Sequence, residues 1–320
     1  VAFSSSGFMY FELSDKPELE WADAIWWSFV TMTTVGYGDF FPTTWGGRYL
    51  IGLPTMLFGI SILGYLLSTL ASYLIEERSK ELKGMTDTVV RNHILVIHYP
   101  SVARVMAVLQ ELRTDDKTAG CPVVLVDADL EELPESLAHE GVRFVRGDAS
   151  KESTLGRANF HHARFAIILS QDPNDPGTDN ANLAAALTLE HLHPGIFTVA
   201  ECIDPERIEL LYKAGCDAVV CLTALATNLV VHELLDPGVQ KVIGEATNNT
   251  SGQNFYMVDL VLDGETTYQV ARDALEDRGC AAMGMERDGK VSLNPEVAST
   301  VHTGDRLICI APKRPEALKL

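Results

Sequence analysis

The stretch Thr33-Thr34-Val35-Gly36-Tyr37-Gly38-Asp39 offers its chemistry through the main chain. Gly36 and Gly38 alternate with bulkier residues, and glycine adopts backbone conformations closed to other residues. Successive carbonyls can then point one way instead of alternating as they do in a strand. The Thr34 hydroxyl adds one more oxygen at the inner end. Four copies around an axis would stack rings of oxygen able to replace the water around a dehydrated cation.

A second set of candidate groups follows the short apolar runs of the C-terminal two thirds. At the end of the run 93–98, the three glycine places of a dinucleotide turn are taken by His98, Pro100 and Ala103. Alanine suits the third place, but proline removes an N–H and histidine restricts the turn. His98 and Tyr99 can instead stack on a ligand or bond to it, with Ser101 opening the next helix toward phosphates. Asp127 ends the second run and reads equally as an acceptor for ribose hydroxyls or as an ordinary cap. Asp148 and Ser170, after the third and fourth runs, would line the same crevice. Six cysteines without a Cys-x-x-Cys pair read as reduced core residues. His161, His162, His191 and His193 lack a third ligand nearby, so they are not read as a metal site.

The elements that must position these groups are legible by pattern. Trp21–Met32 is short, apolar and aromatic, with Asp23 in its opening turn where a carboxylate suits the helix dipole. Residues 49–75 carry no charge, which at ~40 Å of helix is enough to cross a bilayer. Pro54 is tolerable there if neighbours satisfy the freed carbonyl. Gly59 is either a hinge or a close-packing position. From His93 onward, strands at 93–98, 122–127, 142–146, 164–169, 196–201 and 217–220 alternate with helical spacers, which predicts a doubly wound parallel sheet. A helix over 223–235 precedes Pro237-Gly238. Beyond 251 the pattern predicts strands at 258–262 and 306–311, a helix over 268–277 and turns at 289–291 and 304–305. The 320 residues hold 25 basic and 44 acidic side chains, a net charge of −19 that argues against a nucleic-acid partner.

Residues 34–38 are identical to the potassium-channel selectivity filter, and the flanks resemble its pore helix and inner helix. The resemblance implies potassium held by Thr34, Val35, Gly36 and Tyr37, a homotetramer, and a Trp26 indole within reach of Asp39. Some relatives carry a carboxylate where Val30 stands, and that brace is missing here. Residues 93–320 resemble the regulator-of-potassium-conductance (RCK) module, through Gly147-Asp148-Ala149, Ala214-Gly215-Cys216-Asp217 and Gly304-Asp305. The expected architecture is an α-helical membrane pore over 1–78, a linker over 79–91, a cytosolic Rossmann-like α/β domain over 92–250 and an α+β subdomain over 251–320. The whole resembles a prokaryotic potassium channel of the cell membrane, gated by NAD or ADP at the cytosolic domain and not an enzyme.

Calcium is the second ligand the resemblance implies, at Asp172, Asp175, Asp179 and Glu201; Ile203 stands where a further acid would be expected. Related channels gather eight regulatory domains in a cytosolic ring, so four would come from separate copies or from sequence beyond Leu320. Residues 1–13 resemble only the outer end of a membrane helix, which implies sequence before Val1, and no signal peptide is read there. The competing reading is a nicotinamide-dependent oxidoreductase on the same sheet.

Overall fold

The computed structural model describes residues 1–249 and 252–320, in two compact units, Val1–Lys80 and Glu81–Leu320. The domain boundary expected at 250–251 lies outside the described residues.

The first unit is helical. Helix α1 (Ala2–Glu12) packs on α2 (Trp21–Met32), whose first turn is closed by a reciprocal pair: Glu20 and Asp23 each accept a backbone N–H from the other's position. Phe8 stacks on Trp27 at 4.3 Å between centroids, and Leu19, Ala24 and Ile51 complete a small core. A π-helical turn, Gly47–Gly52, leads into α3 (Leu53–Leu82). That turn answers Pro54: proline removes an N–H and its ring collides with the carbonyl four residues back. The helix widens just before it, and Leu53 N–H donates five residues back to Arg48 O. The stretch Gly47–Leu82 is long and apolar enough to cross a membrane.

The second unit holds a six-stranded, all-parallel sheet of β1 (His93–Ile97), β2 (Val123–Asp127), β3 (Arg143–Arg146), β4 (Ala163–Ile168), β5 (Phe197–Cys202) and β6 (Ala218–Cys221), in the order β3-β2-β1-β4-β5-β6. Both faces are covered. Leu95, Ile97, Val124 and Val126 enter one core, while Ile94, Val96, Val123 and Leu125 enter the other. Unbroken apolar runs are what such a two-sided sheet requires.

The crossovers are α4 (Val102–Thr114), α5 (Glu135–His139), α6 (Glu152–Arg157), α7 (Asp179–Leu192) and α8 (Ile208–Lys213). Helix α5 is short, with 5 residues. The Asp127 carboxylate takes the N–H groups of Asp129 and Leu130, and the helix starts only after Pro134, whose ring disfavours helical geometry in the residue before it. Helices α9 (Leu222–Leu235) and α10 (Val239–Ala246) follow.

The C-terminal subdomain is richer in strands than its sequence suggested. It comprises β7 (Asn254–Val261), β8 (Thr266–Thr267), α11 (Tyr268–Glu276), β9 (Ala281–Arg287), β10 (Lys290–Leu293), β11 (Thr300–Val301), β12 (Arg306–Ala311) and β13 (Leu318–Lys319). Five of these strands form a sheet in the order β10-β9-β12-β7-β13. Val291, expected in a turn, lies in β10, because Asp288 and Gly289 alone take positive φ and close the β9–β10 hairpin. Alternation in β7 buries Tyr256, Val258 and Leu260, against which α11 lays Tyr268, Ala271 and Leu275.

The segment expected as a linker is built into this unit from Glu81 onward. Leu82 O accepts Leu133 N–H, Gly84 O accepts Arg146 N–H and the Arg157 guanidinium, and Val90 O accepts the Asn159 amide. Gly84 has φ +63°, and a Cβ there would stand 2.4 Å from Arg146 N, so only glycine fits.

Candidate functional site

Backbone geometry sets the filter. Thr34, Gly36 and Gly38 have φ of +62°, +57° and +77°, while Val35 and Tyr37 between them do not. For β-branched Thr34 this is a strained conformation of the kind found at ligand sites. The N–H groups of Val35 and Gly36 both donate to Val30 O, at 3.0 and 3.3 Å. In a planar trans peptide the carbonyl opposes the N–H, so the carbonyls of Thr34 and Val35 point away from α2. Beyond them, Trp26 Nε1 donates to Asp39 Oδ2 at 2.8 Å and the Trp26 and Tyr37 rings stack at 5.9 Å. The indole contact expected from the sequence is therefore present.

One support of this site was not read from the sequence. Glu12, fully buried at the end of α1, accepts four hydrogen bonds, from the N–H and hydroxyl of both Thr43 and Thr44, at 2.6–3.0 Å. It fixes the chain just after the filter. Gly59 meets the end of α2: a Cβ there would lie 2.5 Å from Met32 Cα. Of its two expected roles, the structure shows close packing.

The sheet's carboxyl edge gathers the second set. His98 and Tyr99 follow β1, Asp127 ends β2, Asp148 follows β3 and Ser170 follows β4, around the switch point between β1 and β4. His98 keeps the φ of +70° that a glycine would favour there. Burial lowers its imidazole pKa, against the opposing pull of Asp127, Asp148 and Asp129, and its Nε2 meets no partner among the described residues. Asp127 is buried and its carboxylate accepts N–H groups from Tyr99, Asp129 and Leu130. Asp148 binds the hydroxyl and N–H of Ser150, which hold its carboxyl below the ordinary range. The Ser101 hydroxyl caps α4 by accepting Arg104 N–H, and Ala103 lies in the first turn.

The acidic residues are dispersed in local duties. Asp172 and Asp175 accept the N–H groups of Asn174 and Gly177 within their own turns. Asp179 is buried and accepts those of Ile203 and Asp204. Glu201 accepts Ser170 N–H at 2.9 Å and pairs with Arg104, which reaches from α4 to the end of β5. That guanidinium is the functional group sequence reading missed; its place one turn into the helix after β1 was the available signal. Among the described residues no three His, Cys, Asp or Glu side chains are grouped to hold a metal. Cys202, beside Asp179, has its thiol pKa pushed up to about 12 by burial and behaves as an inert core group.

An ion channel domain matches residues 1–76 and a TrkA-N domain matches residues 103–222. Together they define the class: an ion-channel domain and a TrkA-N domain on the same chain. The chain is 26% identical over 299 residues to the calcium-gated potassium channel TvoK of Thermoplasma volcanium, covering 92% of this chain and 82% of the relative. It is 24% identical over 300 residues to potassium channel protein 1 of Methanocaldococcus jannaschii, covering 91% and 85%. The fold of the human SLO3 gating ring matches with a TM-score of 0.54 at 16% identity, over 69% of this chain and 44% of that one. Within that class the chain is similar to prokaryotic potassium channels that carry an RCK domain.

Proposed function

We propose that four copies of the chain form a multi-pass potassium pore in the cell membrane, closed and opened by an adenine nucleotide, NAD or ADP, at the carboxyl edge of the cytosolic sheet. The filter carries the pore half of this reading. Its amides are tied back to Val30 and its Thr34 and Val35 carbonyls are turned the other way, the arrangement that presents oxygen to a desolvated cation. Thr34, Val35, Gly36 and Tyr37 supply those oxygens. Measured in proteoliposomes, potassium should permeate far better than sodium; equal permeability defeats the assignment.

Helix α9 supports assembly of the regulatory domains into a ring. It is apolar, none of its residues is buried, and Val230, Leu234 and Leu235 are exposed. A second copy of the same helix is the occupant that would remove this surface from water.

For the regulator, the crevice holds His98, Tyr99, Ser101, Ala103, Asp127, Asp148 and Ser170 around the N-terminus of α4, where phosphates are favoured. With Pro100 lacking an N–H and Arg104 N–H taken by Ser101, the phosphates meet fewer donors than in a dehydrogenase. Such a site suits a reversible regulator rather than a held cofactor. Calcium, which gates the TvoK relative by name, is the second reading here, at Asp172, Asp175, Asp179 and Glu201. It is disfavoured because Arg104 already neutralises Glu201. The oxidoreductase alternative rests on fold alone, and fold does not set chemistry. Calorimetry of the full channel with NAD, NADH, ADP and ATP, beside Asp127→Ala, decides. No heat, or binding indifferent to Asp127, rejects the nucleotide site and makes the acidic set the first choice.

A further inference from the structure

Far from the carboxyl edge, a cavity of about 250 Å³ opens between the end of α4 and the start of the C-terminal sheet. One wall is Asp115 and Asp116, just past α4; the other is Lys313 and Arg314, just past β12; Asn254 and Tyr256 of β7 also line it. Two of the four charges are spent on each other. Arg314 donates to both oxygens of Asp115, at 3.2 and 2.6 Å, and lies over the Tyr256 ring at 4.9 Å. The guanidinium is thereby fixed by an ion pair and an aromatic face at once.

What remains is unpaired. Asp116 and Lys313 make no hydrogen bond or ion pair among the described residues, which leaves one carboxylate and one ammonium. Asn254 is 6% exposed, and its Oδ1 is buried without a partner among the described residues. A buried acceptor without a donor is costly, and native structures rarely leave one so. The cavity therefore presents a negative group and an orphan acceptor, which call for N–H donors, together with a positive group, which calls for an anion. Its net charge is zero.

We propose that this cavity is a second regulatory site, and that its ligand is a small zwitterion with a primary ammonium group, of amino-acid size. The ammonium would give hydrogens to Asn254 Oδ1 and Asp116, and the carboxylate would meet Lys313. A bare metal ion does not fit this set, because the free lysine repels it and the cavity is many times its volume. Because the walls come from the Rossmann-like sheet's helix and from the C-terminal sheet, occupancy ties the two layers of the regulatory unit together.

The test is calorimetry on the full channel in detergent, titrated singly with glycine and the neutral L-α-amino acids, with glycine betaine as the comparison. At least one amino acid should give saturable heat, and betaine, whose nitrogen bears no hydrogen, should give none. Asn254→Leu, which removes the orphan acceptor, and Lys313→Gln, at an exposed position, should each weaken binding at least tenfold. The second variant keeps the test sound if the first fails to fold. No saturable heat from any amino acid, as an ordered water at Asn254 would produce, overturns the proposal. So does equal heat from betaine, or binding that Lys313→Gln leaves unchanged.

Discussion

The filter and the crevice handle their polar groups in opposite ways. In the filter, N–H groups are tied to Val30 and the opposing carbonyls are left for something else to satisfy. In the crevice the carboxylates already hold partners: Asp127 holds three amides, Asp148 holds Ser150, and Glu201 holds Arg104, with His98 Nε2 left over among the described residues. A site of the first kind is incomplete without its ion. A site of the second kind is stable empty, and a ligand must compete for each partner it takes. The contrast separates a permanent conductor from a regulator that has to let go.

Four changes would break or sharpen that contrast. The largest effect is expected for Gly36→Ala. The left-handed backbone costs an L-residue about 1–2 kcal/mol, repeated in every subunit. Potassium flux in proteoliposomes should be abolished, although nothing lies within 4 Å of the added methyl. A flux near wild type would show that the positive φ is not required. Gly59→Ala comes next, because its Cβ would meet Met32 backbone at 2.5 Å. Overpacking of this kind costs about 1–3 kcal/mol, so the melting temperature of the purified protein should drop and single-channel conductance should change. A change confined to open probability would return Gly59 to the role of a hinge.

On the crevice side, Arg104→Ala strips the counter-ion from a carboxylate that is only 10% exposed. With the arginine itself half-exposed, a loss of about 1–2 kcal/mol is expected in thermal unfolding. Calcium binding by calorimetry should strengthen, since Glu201 becomes available. Unchanged calcium affinity would show that Glu201 is no part of a cation site.

The smallest effect is expected at His98. Burial lowers its folded pKa, so the folded state binds fewer protons than the unfolded chain. Stability is then full above the unfolded value of about 6.5 and is lost as pH falls from there through the folded pKa. His98→Gly should reduce the fall of the melting temperature below about pH 6.5, leaving the share of His93, whose pKa burial also lowers, and should relieve the φ of +70°. A pH slope undiminished by the substitution would assign it to another group.

How much of this was legible depended on range. The filter, the helix before it and the Trp26–Asp39 contact lie within 19 residues, and the resemblance of that short stretch to a known filter implied them. The six parallel strands were equally plain, because strands buried on both faces need unbroken apolar runs. Arg104 meeting Glu201, or Glu12 meeting Thr43, joins residues 97 and 31 positions apart, and no local pattern marks such partners. The β9–β10 hairpin was missed for another reason. Its outer strand, Lys290–Leu293, is only 4 residues long and exposed throughout, so its brief polar-apolar alternation does not stand out from a turn. Asp127 was left between ribose acceptor and helix cap, and the three amides on its carboxylate belong to the turn after β2 and to Tyr99, not to a helix, which starts only at Glu135; whether a ribose displaces them is what Asp127→Ala decides.

The stitching of residues 82–90 has a mechanical meaning. A tether of free chain behaves as an entropic spring, which absorbs small displacements before it transmits force. Here α3 runs to Leu82, and Leu82 O is already hydrogen-bonded to Leu133 N–H. There is no slack to take up. A displacement of the β2–α5 connection would reach the end of the helix at nearly full amplitude, so a ligand that moves that connection by an ångström or so has no compliance to overcome first. Inserting a few flexible residues between Leu82 and Gly84 would restore that slack.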